Sequence, residues 1–214
     1  MQTSKSFLSR LSLVIVGTIL MGIGIELIVV ADQGFDSVST LILGLMDHSA
    51  LPFGRWSQLI SVLFLLITLI YKRSMLGIGS IINTFLVGET ISRTAPVIQA
   101  VDSLGNNPLI CLAGFCTMAL GTSIYLTGGL GSGPLEGMMF CVCDLLHLSL
   151  RKGRILLDFM IVVIGVLLGS SFGLGTLFAI FLLGPMIQFF LAVSRRENWK
   201  KFRYRGKRKK MTEE

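Results

Sequence analysis

The chain has 214 residues, of which 52% are apolar and only 14% charged, with a mean hydropathy of +0.77. Soluble domains carry about a quarter charged residues, so one soluble domain, the ordinary reading of this length, is excluded. The net charge of +7 is unevenly placed: ten of the nineteen Lys and Arg lie in residues 195–210, leaving nine basic and nine acidic residues outside the last twenty. The composition describes an all-α, polytopic helical membrane protein with a basic tail.

Residues 1–10 hold Lys5 and Arg10 and are expected on the cytoplasmic side by the positive-inside rule. Residues 11–30 form a first apolar run, long enough to cross ~30 Å of hydrocarbon and too long for a typical signal-peptide core, despite a weak cleavage-like Val29-Val-Ala31. Its Gly17, Gly22 and Gly24 permit close helix approach. Asp32-Gln-Gly34 breaks the run, and residues 36–47 follow with Asp36 or Ser37 as helix cap. About ten apolar residues at ~1.5 Å each do not span a bilayer, so a re-entrant half-helix is expected. After a turn at Ala50-Leu-Pro-Phe-Gly54, residues 56–71 span, closed by Lys72-Arg73, and residues 77–92 span again.

Residues 94–108 read as a linker, with Pro96, Asp102 and Asn106-Asn107. Residues 109–125 span, and Gly128-Gly-Leu-Gly-Ser-Gly-Pro134 is a glycine-rich break whose proline suits the first turn of a second short helix, 134–146. Arg151-Lys-Gly-Arg154 reads as a loop, residues 155–169 and 174–193 as spans, and 195–214 as a basic cytoplasmic tail.

The second half echoes the first. Gly77-Ile-Gly-Ser-Ile-Ile-Asn-Thr-Phe-Leu-Val-Gly88 returns as Gly173-Leu-Gly-Thr-Leu-Phe-Ala-Ile-Phe-Leu-Leu-Gly184, and upstream Gly54-Arg55 pairs with Gly153-Arg154, Gly34 with Gly131 and Gly24 with Gly121. Two homologous membrane repeats are expected, 11–93 and 109–194, each with three spans and one short helix. Three spans per repeat invert the second copy. If the short helices cross instead, each repeat has four spans and the copies are parallel.

Interrupted helices in inverted repeats are the pattern of secondary transporters, whose half-helix N-termini face an anion near the midplane. The candidate substrate-binding residues are accordingly Gly34, Asp36, Ser37, Gly131, Gly133 and Glu136 at the two helix entrances, with Glu26 and Asp158 as further intramembrane carboxylates. Each has a structural explanation beside the functional one. The glycines make turns; Glu26 sits close to the interface; Asp158 pairs with Arg154 four residues earlier, as Glu89 does with Arg93; Glu136 suits a helix dipole. His48 and His147 follow the short helices as solvated loop residues, and Cys111, Cys116, Cys141 and Cys143 read as apolar thiols. No catalytic or metal-binding spacing is present, so neither an enzyme nor a cofactor is expected. Trp199, Phe202 and Tyr204 in the tail could stack on nucleic-acid bases, but a juxtamembrane stop pairing with anionic lipid is the expected role.

Gly24-Ile-Glu-Leu-Ile-Val-Val-Ala-Asp-Gln-Gly34, the Gly54-Arg55-Trp56 triplet and Leu130-Gly-Ser-Gly-Pro134 resemble the YczE/YyaS/YitT-type family of bacterial integral membrane proteins over about residues 8 to 194. The resemblance implies a multi-pass bacterial plasma-membrane protein with no assigned chemistry. The residues themselves point to a small-molecule or ion transporter, or a subunit of one, with a homo-oligomer compatible. The alternative is a non-transporting accessory protein anchoring a cytoplasmic or biosynthetic partner through its tail.

Overall fold

The computed structural model describes residues 6–194, so the basic tail lies outside the described residues. Apolar side chains on a backbone that must satisfy its own polar groups in lipid leave helices as the available solution, and among the described residues every regular element is helical. The order is α1 Phe7–Ala31, α2 Ser37–Met46, α3 Phe53–Lys72, a 3₁₀ turn Arg73–Met75, α4 Ile78–Gln99, α5 Pro108–Gly128, α6 Pro134–Leu145 and α7 Leu150–Leu167. Then α8 Leu174–Phe178 runs through a π turn, Ala179–Leu183, into α9 Gly184–Ser194, making one rod.

Four described stretches are long and apolar enough to cross a membrane: Phe7–Ala31, Phe53–Met75, Pro108–Gly128 and Leu174–Val193. Six spans were expected. The other two, α4 with 22 residues and α7 with 18, have the length. Glu89 and Arg93 in α4, and Arg151, Lys152, Arg154 and Asp158 in α7, lower their hydropathy.

Two boundaries differ from expectation. The 94–108 linker is helical through Gln99, with Pro96 inside α4. Proline's fixed φ is helical, and a transmembrane helix tolerates the lost donor. Arg151-Lys-Gly-Arg154 is not a loop but the first turn of α7, after an N-cap at Ser149. That one turn places Arg154 inside the protein.

α1 and α5 pack antiparallel, Gly17 lying against Gly121 and Gly24 against Gly114 and Met118. A Cβ on Gly121 would sit 2.6 Å from the Met21 backbone nitrogen, so only glycine allows this approach. Ile28, Ala31, Phe115, Ala119 and Leu183 fill the core around that pair. α2 runs beside α7 in the same direction, Ser37 meeting Asp158 and Gly44 meeting Gly165. α6 runs beside α3 likewise, Gly137 facing Thr68 and Asp144 pairing with Lys72. Ile42, Ile60, Phe64, Leu157 and Ile161 fill this second core.

The two Gly-x-Gly turns dock on the two chain breaks crosswise. Gly79 N–H donates to the Leu130 carbonyl at 2.9 Å, and Gly175 N–H to the Gln33 carbonyl at 2.8 Å. Outward, α3 and α7 present Leu63, Leu66, Ile70, Phe159, Met160 and Leu167 to the surroundings. Such a belt suits acyl chains, and the chain is a multi-pass membrane protein.

Candidate functional site

The short helices are positioned by polar groups at their N-termini. Asp36 is the N-cap of α2: its carboxylate accepts from Ser39 N–H at 3.3 Å and from the Ser39 hydroxyl, while its carbonyl accepts from Thr40 Oγ1 at 2.9 Å. This is the capping role expected of it. α6 begins differently. Gly133 is its N-cap and Pro134 its first residue, and Glu136 folds its carboxylate back over Gly133 so closely that a Cβ there would collide with Oε2. Each short helix therefore carries a carboxylate at its positive end.

α7 joins the two. Ser37 donates its hydroxyl to Asp158 Oδ1 at 2.6 Å, and Arg154 Nε donates to Asp158 Oδ2 at 2.6 Å. The same guanidinium lies 3.8 Å from Glu136 Oε1, and Asp36 lies within electrostatic reach of Arg154 and Asp158. Asp36 and Asp158 are each 2% exposed and Arg154 9%. Tyr125, almost fully buried, flanks Glu136 and donates its hydroxyl to the Gly131 carbonyl at 3.1 Å.

Four predicted residues, Asp36, Ser37, Glu136 and Asp158, thus come together, with Gly133 beneath one of them. Gly34 and Gly131 do not join them. They take φ of +106° and +132° where the chain breaks dock on the Gly-x-Gly turns, which explains their identity structurally. Glu26 also stands apart. It is 1% exposed and receives a hydrogen bond from Gln99 Nε2 at 2.8 Å. Glu89 and Arg93 form the anticipated pair, 2.7 Å apart on an exposed face. His48 is exposed and meets the Leu168 carbonyl.

Residues that sequence reasoning left out of the site are Arg154, Ser39 and Tyr125. The pairing of Arg154 with Asp158 was legible from their spacing; its burial was hidden because Arg151-Lys-Gly-Arg154 reads as a charged loop.

Residues 8–192 match a family described as a family of unknown function, DUF6198. The chain belongs to DUF6198. This chain is 31% identical over 183 residues to an uncharacterized protein of Haemophilus influenzae, covering 86% of this chain and 84% of that one. It is 24% identical over 179 residues to the uncharacterized membrane protein YczE of Bacillus subtilis, covering 83% of each. The resemblance to the YczE-type proteins is therefore borne out. No solved structure matches.

In this DUF6198 chain the expectation that bare helix N-termini await an anion changes. Both positive ends are already covered by the protein's own carboxylates. The cluster holds three carboxylates and one guanidinium, and uncompensated buried charge is costly in a membrane interior.

Proposed function

We propose that the protein is a small-molecule or ion transporter, or the membrane subunit of one, working through the Asp36–Ser37–Glu136–Arg154–Asp158 cluster. The observation that carries this reading is the convergence of two half-helix N-termini on one buried ion network. The excess of carboxylates favours a cationic solute, such as a protonated amine, or a coupling proton. The chain is read as two inverted repeats with re-entrant α2 and α6. The antiparallel α1–α5 contact supports this, as do the exchanged pairings of α2 with α7 and of α6 with α3. With Lys5, Arg10 and the tail inside, both termini are cytoplasmic in a bacterial plasma membrane.

The test is electrogenic transport in proteoliposomes, challenged with a panel of organic cations, organic anions and pH jumps. Currents with a cation or a pH jump, abolished by Asp158→Asn in protein that still purifies as a single folded species, are expected. Currents unaffected by Asp158→Asn, or evoked only by anions, would remove the cluster from the mechanism. Topology is checked with single cysteines replacing Ala50 and Ser74 in a chain lacking the four native thiols. An impermeant thiol reagent on intact cells should label the first and not the second.

The accessory reading draws on a different observation, the concentration of ten basic residues in 195–210. These would pair with anionic lipid or hold a cytoplasmic partner. Deleting residues 195–214 separates the two. An anchor loses its function, whereas a transporter keeps its currents once correctly inserted.

A further inference from the structure

A groove of about 570 Å³ runs between α7 and the α8–α9 rod, within the volume range of small-molecule sites. Its walls include Phe159, Val163, Leu167, Phe172 and Phe181, and its one charged lining residue is Lys152 at the α7 N-terminus. From Lys152 to Leu167 the helix rises roughly 22 Å, more than the ~15 Å depth of one leaflet's acyl chains. The groove exists because the rod does not close on α7. The π turn Ala179–Leu183 interrupts it there, a feature frequent at functional positions, and at Gly184 the nearest atom to an added Cβ is Arg154 Cγ at 3.8 Å.

Any outward helix face meets lipid tails. This one differs in being concave and in ending on a cation. Lys152 and its neighbour Arg151 are exposed, and neither makes an ion pair among the described residues. We propose that the groove is a docking site for one anionic phospholipid, its acyl chain against Phe159, Val163 and Phe181 and its headgroup at Lys152. The argument is charge complementarity. An elongated apolar trough closed at one end by an unpaired ammonium selects an amphiphile with a negative head, and the cytoplasmic leaflet supplies such lipids.

The experiment uses the full chain in phosphatidylcholine vesicles carrying a fixed fraction of brominated lipid, either phosphatidylglycerol or phosphatidylcholine. Phe159→Trp is the reporter, read as the difference from the same chain without it, so that both native tryptophans stay in place. Leu63→Trp on the outward face of α3 is the control. Brominated phosphatidylglycerol should be preferred at the Phe159 reporter by roughly fivefold, the equivalent of about 1 kcal/mol for one basic side chain near the surface. Lys152→Ala should erase the preference, while the Leu63 reporter shows none in either chain. Equal quenching by both lipids, or a preference that survives Lys152→Ala, would mean ordinary annular lipid and overturn the proposal. Absence of quenching by either lipid would mean that a second copy covers the groove, which overturns it too.

Discussion

The α3–α4 pair, which holds Gly54-Arg55 and Gly88, and the pair made by α7 with the α8–α9 rod, which holds Gly153-Arg154 and Gly184, are packed differently. In the first, Gly54 and Gly88 face each other so closely that a Cβ on either would strike the other's carbonyl oxygen. The helices meet backbone to backbone, and Arg55 is left outside, bonded to Gln58 at 3.0 Å. In the second, Gly184 faces the aliphatic stem of Arg154 instead of a backbone. Opening a helix pair by the width of one side chain does two things. It admits a guanidinium to the interior, where Asp158 and Glu136 hold it, and it leaves the apolar groove on the outer side. The two short helices differ in a related way: α2 takes its carboxylate from the N-cap, Asp36, whereas α6 has glycine there and takes it from Glu136.

The sharpest way to break this comparison is Arg154→Met. Removing the one cation leaves Asp158 and Glu136 unpaired in the interior, and such a loss costs about 3–5 kcal/mol. A large fall in the detergent melting midpoint is expected, and an unchanged midpoint would show that the network is not stabilising. Gly88→Ala comes next. The added methyl must push α3 and α4 apart, at about 1–3 kcal/mol, measurable by equilibrium unfolding in mixed micelles; full stability would refute the backbone contact.

Asp36→Ala removes the α2 cap, at about 1 kcal/mol, and Asp36→Asn should recover most of it in the same unfolding assay. If alanine and asparagine behave alike, capping is not what Asp36 contributes to stability. Gly184→Ala should be neutral or stabilising by up to about 1 kcal/mol, since alanine is the better helix former and the space is open. A loss there would mean that α7 and α9 are closer than described. Smallest of all, Arg55→Met should stay within about 0.5 kcal/mol, as exposed substitutions do; a larger loss would mean that Arg55, too, has a buried role.

Much of the local structure was legible before any coordinates. The apolar runs marked the spans, Asp36 was readable as a cap and Pro134 as a first-turn residue, and the spacings of Arg93 with Glu89 and Arg154 with Asp158 foretold both pairs. The structure departs from the sequence pattern where charge suggests exposure. Glu26 lies close to a helix end, and what covers it there is Gln99, carried by an α4 that runs on through Pro96. Arg151-Lys-Gly-Arg154 was taken for a loop, yet only its first two side chains are exposed.

By itself, the sequence determined that this is a helical membrane protein, where its helices break and which carboxylates stand in its apolar segments, because hydropathy and capping act over a few neighbouring residues. Only the tertiary structure decided which of those carboxylates share a site. Packing of α2, α6 and α7 brings Ser37 to Asp158 across 121 positions and Glu136 to Arg154 across an intervening loop, contacts that no local pattern encodes. It also decided that one helix pair closes and the other stays open, because closure depends on what each glycine faces.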